Sequence, residues 1–121
     1  SLTLVMSSPL YIGEPYTFQA LFLGADGSPL VVTSPNITLF YFTDSGYRTV
    51  LLNGVTMVPV APPEPGRYTY LYTVPQSMVD GTVLYVECRG TDPLLNVIVQ
   101  QHTLTAVFRP SDQGLRVRFV Q

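Results

Sequence analysis

Apolar and polar residues alternate with a period of two along most of this chain. In Tyr16–Leu23 and in Arg67–Val74, every second residue is aromatic or aliphatic and the residues between them are mostly polar. Successive side chains of a strand point to opposite faces, so this period predicts half-buried β-strands. No stretch keeps a helical period over three turns. The pattern therefore predicts an all-β protein.

Prolines, glycines and other turn residues interrupt the chain about every 8–12 residues, which is typical of a sandwich or a barrel. The runs between them predict strands at Leu2–Met6, Tyr16–Leu23, Asn36–Thr43, Thr49–Leu52, Val55–Val60, Arg67–Val74, Thr82–Arg89, Asn96–Arg109 and Gly114–Gln121. Asn53-Gly54 predicts a hairpin turn, because both residues accept a positive φ. We expect a single two-sheet sandwich of about eight or nine strands.

The last twelve residues differ from the rest. We expect residues 1–109 to form the sandwich domain and residues 110–121 to form a C-terminal strand or arm, because Pro110–Gly114 breaks the long preceding strand. After the break, apolar residues alternate with arginines at Leu115, Arg116, Val117, Arg118 and Phe119. Two roles are open: an edge strand of its own subunit, or an arm that pairs with a neighbouring subunit. The arginines would protect such an edge from indiscriminate pairing.

The charge content changes the functional expectation. Only 12% of the residues are charged and the net charge is −2, whereas an ordinary soluble domain has roughly 25% charged residues. The acidic balance argues against nucleic-acid binding, and no apolar run reaches the ~18–20 residues of a membrane-spanning helix. All six basic residues are arginine. Codon bias is one explanation for the absence of lysine. The other is a surface that is largely in contact with other protein, since arginine tolerates desolvation.

The residues that could carry chemistry are isolated. His102 is the single histidine, and no Gly-x-Ser-x-Gly segment accompanies it. Cys88 is the single cysteine and shares a predicted strand face with Leu84 and Val86, which indicates a small buried apolar residue. We therefore expect a non-enzymatic protein without a cofactor or a metal.

Five aspartates lie beside glycine, serine or proline, at Asp26, Asp44, Asp80, Asp92 and Asp112. Turn chemistry accounts for them, because an aspartate accepts hydrogen bonds from the backbone two residues on. Several of them at one end of a sandwich could bind calcium through oxygen ligands. The chain has no Asp-x-Asp spacing to support that alternative.

Two groups of residues are candidates for a protein interface. The first is a tyrosine stripe on one strand face, Tyr68, Tyr70 and Tyr72. It either packs against the core or forms an exposed contact surface, since tyrosine gives contact area at low entropic cost. The second is the C-terminal run Leu115, Arg116, Val117, Arg118 and Phe119.

Three segments carry a resemblance to a known family: Gly13-Glu14-Pro15 before a strand, the Asp26-Gly27 turn, and Pro65-Gly66-Arg67-Tyr68-Thr69-Tyr70. With them, Gly13–Arg109 resembles the immunoglobulin-like domains of tailed-bacteriophage virion proteins and of bacterial surface proteins. The chain lacks the tryptophan and the cysteine pair of antibody domains.

The resemblance implies a structural, non-enzymatic protein of a phage virion, assembled in the cytoplasm of the bacterial host. We expect a decoration or accessory protein of the head that binds capsid subunits or other virion proteins, and itself as a homo-oligomer. The alternative is a ligand- or partner-binding module of a bacterial surface or secreted protein.

Overall fold

The structure, a computed structural model, describes residues 2–5 and 10–109. Within these residues the chain forms nine strands and no helix. The strands are β1 (Leu2–Val5), β2 (Leu10–Tyr11), β3 (Pro15–Phe22), β4 (Thr33–Phe42), β5 (Arg48–Thr56), β6 (Val58–Pro59), β7 (Arg67–Thr73), β8 (Thr82–Thr91) and β9 (Val97–Val107). The described part of the chain thus contains no helix that is long and apolar enough to span a membrane.

The strands form two sheets. One has the order β1-β3-β7-β6 and the other the order β2-β9-β8-β4-β5. The pairs are antiparallel except for β2, which runs parallel to β9. This arrangement confirms the prediction of an all-β sandwich.

The core lies between the two sheets and follows the predicted alternation. In β3 every second residue is buried, and Phe18 and Phe22 are completely buried. From the other sheet, β8 contributes Leu84, Val86 and Cys88, all of them fully buried. Full burial of a large apolar side chain stabilises the fold by about 1.5–3 kcal/mol. The core therefore explains the period of two in the sequence.

The prediction of a hairpin turn at Asn53-Gly54 is wrong. Residues Arg48–Thr56 form one continuous strand, β5, that pairs with β4 on both sides of this dipeptide. Asn53 and Gly54 together lie opposite Thr38, which makes a β-bulge. The φ of Gly54 is +60°, and its N–H donates to Oγ1 of Thr38 at 3.0 Å. Gly54 has the positive φ that the dipeptide predicted, whereas Asn53 does not. A bulge needs a glycine in that conformation as much as a turn does.

Gly66 lies where two segments of backbone come very close together. Its φ is +75°, and its carbonyl oxygen accepts a hydrogen bond from the N–H of Phe22 at 2.8 Å. A Cβ at this position would lie 2.7 Å from the carbonyl oxygen of Phe22 and 2.9 Å from the nitrogen of Leu30. Glycine alone fits both the conformation and the space.

The C-terminal segment 110–121 lies outside the described residues, so the strand or arm predicted there and the domain boundary at residue 109 stay predictions. The described chain ends next to the loop before β8. The N–H of Phe108 donates to Oδ1 of Asp80 at 2.9 Å. Arg109 donates to the carboxylate of Glu14 at 2.8 Å and lies 4.2 Å from the centroid of the Tyr11 ring.

Candidate functional site

The outer face of the five-stranded sheet carries exposed apolar side chains on four neighbouring strands, β9, β8, β4 and β5. The register places Val50, Phe40 and Tyr85 side by side on the surface that points away from the core. The exposed apolar members of this outer face are Phe42, Val50, Val83, Val97 and Val99, each between 42% and 62% exposed. A group of exposed apolar side chains on one face of a small domain indicates an interaction site.

An aromatic cluster lies at one end of the outer face. Phe40 and Tyr85 stack with their ring centroids 5.3 Å apart, and Phe42 packs edge-on against both rings. The guanidinium of Arg48 lies 4.1 Å from the centroid of the Phe40 ring, a cation–π contact. Together these neighbours leave Phe40 only 5% exposed, although it points away from the core. The cluster is therefore a group of closely packed aromatic rings at the surface of the sheet.

A charged and polar group crosses the middle of the outer face. Arg89 forms an ion pair with Glu87, through Nε at 2.9 Å. Gln101 on the adjacent strand donates to the second carboxylate oxygen of Glu87 at 3.1 Å. This network separates the aromatic cluster from Val97 and Val99 at the other end, so the face has apolar ends and a polar centre.

A cleft of about 550 Å³ opens beside the aromatic cluster. Its walls are residues 41–44 at the end of β4, residues 79–83 before and within β8, and Tyr85. Two carboxylates, those of Asp44 and Asp80, belong to the lining, while Val79 and Val83 supply exposed apolar surface. The cleft is therefore both apolar and acidic.

The outer face of the other sheet is more polar over the residues that the structure describes. Its side chains include Thr17, Gln19 and Thr69, and Arg67 donates to Oε1 of Gln19 at 3.1 Å. Leu71 is the exposed apolar residue of β7 on this side, at 65% exposure. The two surfaces of the sandwich thus differ in chemistry, and the five-stranded sheet presents the aromatic one.

The tyrosine stripe lies on the face of β7 that points towards the core, and its role in a protein interface stays a prediction. Tyr68 is 7% exposed. Its hydroxyl donates to the carbonyl oxygen of Val32 and accepts from the N–H of Val32, both at 3.2 Å. Tyr70 and Tyr72 are half-buried and pack against the core. Burial raises the pKa of the Tyr72 hydroxyl.

The structure places the other interface candidates, Leu115, Arg116, Val117, Arg118 and Phe119, outside the described residues. The aromatic cluster, in turn, was not predicted from the sequence. A signal was present, because Leu39-Phe40-Tyr41-Phe42 is apolar at four consecutive positions. In a sandwich only one face of a strand meets the core, so such a run also indicates an apolar outer face.

His102 and Cys88 lie apart from the outer face. His102 is half-buried, and its Nε2 is 3.1 Å from Nε2 of Gln100. Cys88 is completely buried in the core, as the sequence predicted. Burial, with a smaller contribution from the charge of Glu87, raises the pKa of the Cys88 thiol to about 12. The thiolate needed for nucleophilic chemistry is therefore strongly disfavoured at neutral pH.

Two of the aspartates have the predicted turn role. Asp26 accepts hydrogen bonds from the hydroxyl and the N–H of Ser28, at 2.7 and 3.0 Å, and these lower the pKa of its carboxyl. Asp92 accepts from the backbone of Asn96 at 2.8 Å, which lowers the pKa of that carboxyl too. Over residues 2–5 and 10–109, no three His, Cys, Asp or Glu side chains form a group that could hold a metal ion. Asp112 lies outside the described residues.

The strand order and the parallel pairing of β2 with β9 place the fold in the class of immunoglobulin-like β-sandwiches. No protein-family model matches the chain, and no curated protein matches it. Among solved structures, that of murine CRIg matches with a TM-score of 0.49 and 11% sequence identity, over 90% of this chain and 97% of that chain.

Proposed function

We propose that this protein is a non-catalytic binding protein that contacts another protein through the outer face of its five-stranded sheet. The observation that carries the proposal is the group of exposed apolar side chains on four adjacent strands of that face. Burial of apolar surface is the main favourable term in protein association. The flat surface of a sheet suits a protein partner better than a small molecule, which needs a concave site.

The polar residues of the outer face fit the same function. Aromatic residues and arginine are enriched in the centres of protein interfaces, where lysine is depleted. Arg48 packs on the Phe40 ring at the apolar end of the face, and Arg89 pairs with Glu87 in its polar centre. Because these side chains are already ordered, a partner would meet a surface that loses little conformational entropy on binding.

At a finer level, we propose that the partner is a capsid subunit or another virion protein, and that the protein is an accessory or decoration protein of a phage head. The support is the resemblance of Gly13–Arg109 to immunoglobulin-like virion domains, together with a surface that is poor in charge and free of lysine. Self-association into a homo-oligomer through the same face belongs to this proposal.

Co-sedimentation with capsids tests the proposal, using the coat protein encoded in the same genome and the full-length chain. Val50→Asp and Val99→Asp each place a charge on the outer face, on different strands, and should reduce binding at least tenfold. Leu71→Asp is the control, since Leu71 is an exposed apolar residue on the opposite sheet. Analytical ultracentrifugation of the same variants measures self-association.

Equal capsid binding by the outer-face variants and by Leu71→Asp would show that the outer face is not the contact surface. Capsids that bind none of the proteins, wild type included, would refute the virion role. In that case the wild-type chain would be tested for binding to the bacterial cell surface, as the alternative module requires.

A further inference from the structure

The described chain ends at the rim of the acidic cleft. Near the end of β9, the carbonyl oxygen of Ala106 accepts a hydrogen bond from the N–H of Gly81 at 2.8 Å. The N–H of Phe108 then donates to Oδ1 of Asp80 at 2.9 Å, and Asp80 is part of the cleft lining. The backbone of Phe108, one residue before the end of the described chain, therefore contacts the cleft lining directly.

The cleft has the chemistry to bind an extended segment that is both apolar and cationic. Val79 is 74% exposed and Val83 is 44% exposed, so much of their apolar surface is in water. Asp44 and Asp80 add two carboxylates to the same lining. An apolar segment without charge would leave these carboxylates without a cation, whereas arginines beside apolar residues satisfy both parts of the lining.

We propose that the C-terminal segment of the same chain, Leu115–Gln121, binds in this cleft, with its apolar residues on the apolar walls and its arginines near Asp44 and Asp80. The segment has the complementary composition, with three large apolar residues alternating with two arginines. The inference rests on the cleft and on the position of Phe108 and not on the identity of the partner proposed above, although the cleft shares Phe42 and Val83 with the outer face.

The connection is long enough for this contact. Five residues lie between Arg109 and Leu115, and the six residue steps from one to the other span up to about 20 Å in an extended chain. From β9 to β4 the distance across the sheet is two strand spacings, or about 10 Å. A short tether also gives the segment an effective concentration of about a millimolar at its own cleft. Binding within one molecule is therefore favoured over binding to a second copy at ordinary protein concentrations.

A single tryptophan can report the contact, because the natural chain contains none. In full-length Phe119→Trp, the indole should emit at shorter wavelength than a fully solvated tryptophan, and equally so at every protein concentration. Adding Val79→Asp, at the exposed wall of the cleft, should return the emission to that of a solvated indole. Leu71→Asp, on the opposite sheet, is the control and should change nothing.

A second variant tests the charge contribution. Asp44→Asn removes one carboxylate from the lining while leaving the Asp80 contact with the chain exit intact. It should shift the Phe119→Trp emission partway towards that of the solvated indole, and added salt should do the same to the parent protein.

Three results would overturn the inference. A solvated emission in Phe119→Trp itself would show that the segment does not bind the domain. A short-wavelength emission that Val79→Asp leaves unchanged would place the contact outside the cleft. An emission shift that grows with protein concentration would assign the contact to a second copy.

Discussion

Removal of one hydroxyl, in Tyr68→Phe, tests how the tyrosine stripe stabilises the fold. The Tyr68 hydroxyl joins β7 to the segment before β4, through hydrogen bonds to both backbone groups of Val32 at 3.2 Å. The substitution keeps the ring, which packs edge-on against Phe22 with centroids 5.8 Å apart. Only the hydrogen bonds change.

The expected loss of stability is large for a single atom. Val32 is 5% exposed, so its N–H and C=O cannot simply turn to water when the hydroxyl is absent. A buried polar group left unsatisfied costs about 1–3 kcal/mol. For the two groups we expect a loss of about 2–4 kcal/mol in the free energy of unfolding, which for a domain of this size corresponds to a Tm lower by about 8–16 °C.

Urea denaturation followed by far-UV circular dichroism measures this loss, with the m-value as a check that the unfolded state is unchanged. Tyr47→Phe is the matched control, because Tyr47 is 74% exposed and its hydroxyl is in water. If Tyr68→Phe is as stable as Tyr47→Phe to within about 0.5 kcal/mol, the reasoning about the buried hydroxyl is refuted.

Three further predictions concern the backbone, an ion pair and the thiol. Gly66→Ala should lower the Tm more than Gly54→Ala, although both glycines have a positive φ. A Cβ at Gly66 would lie 2.7 and 2.9 Å from backbone atoms, whereas the atom nearest to a Cβ at Gly54 is 3.9 Å away. Equal losses of Tm in the two variants would contradict this. The hydrogen bond from Arg109 lowers the pKa of the Glu14 carboxyl. The stabilising effect of this ion pair is therefore present above the unfolded-state pKa and is lost as the pH falls through the folded-state pKa. The Tm difference between wild type and Glu14→Gln should disappear in acid, and a difference that stays constant with pH would contradict this prediction. The thiol of Cys88, with its pKa raised to about 12 by burial, should react with a disulfide reagent only after denaturation, and rapid labelling of the native protein would show that the site opens.

The alternation of residues predicted the fold class because each strand has one face in the core. The Tyr16–Leu23 and Thr82–Arg89 predictions match β3 and β8 within two residues at each end. The two-residue strand β2 escaped prediction, since Leu10–Tyr11 is too short to show a period. Its pairing with β9 is set by residues almost a hundred positions away.

The candidate site was predicted less well, for a physical reason. The cleft joins residues 41–44 to residues 79–85, and only the antiparallel pairing of β4 with β8 brings these segments together. The aromatic cluster likewise depends on register, because Arg48 contacts Phe40 only when β5 pairs with β4 as observed. Local sequence carries no information on which strands become neighbours.

The sequence by itself determined that the chain folds into strands, that Cys88 is buried, and that Gly54 has a positive φ. These features follow from the side-chain period and from local conformational preference. Only the tertiary structure decided that Gly54 lies in a bulge, that the tyrosine stripe faces inward, and that Phe40, Phe42 and Tyr85 form an aromatic cluster on the outer face. A period of two says that a strand has two faces, but the packing of one sheet on the other decides which of them is buried.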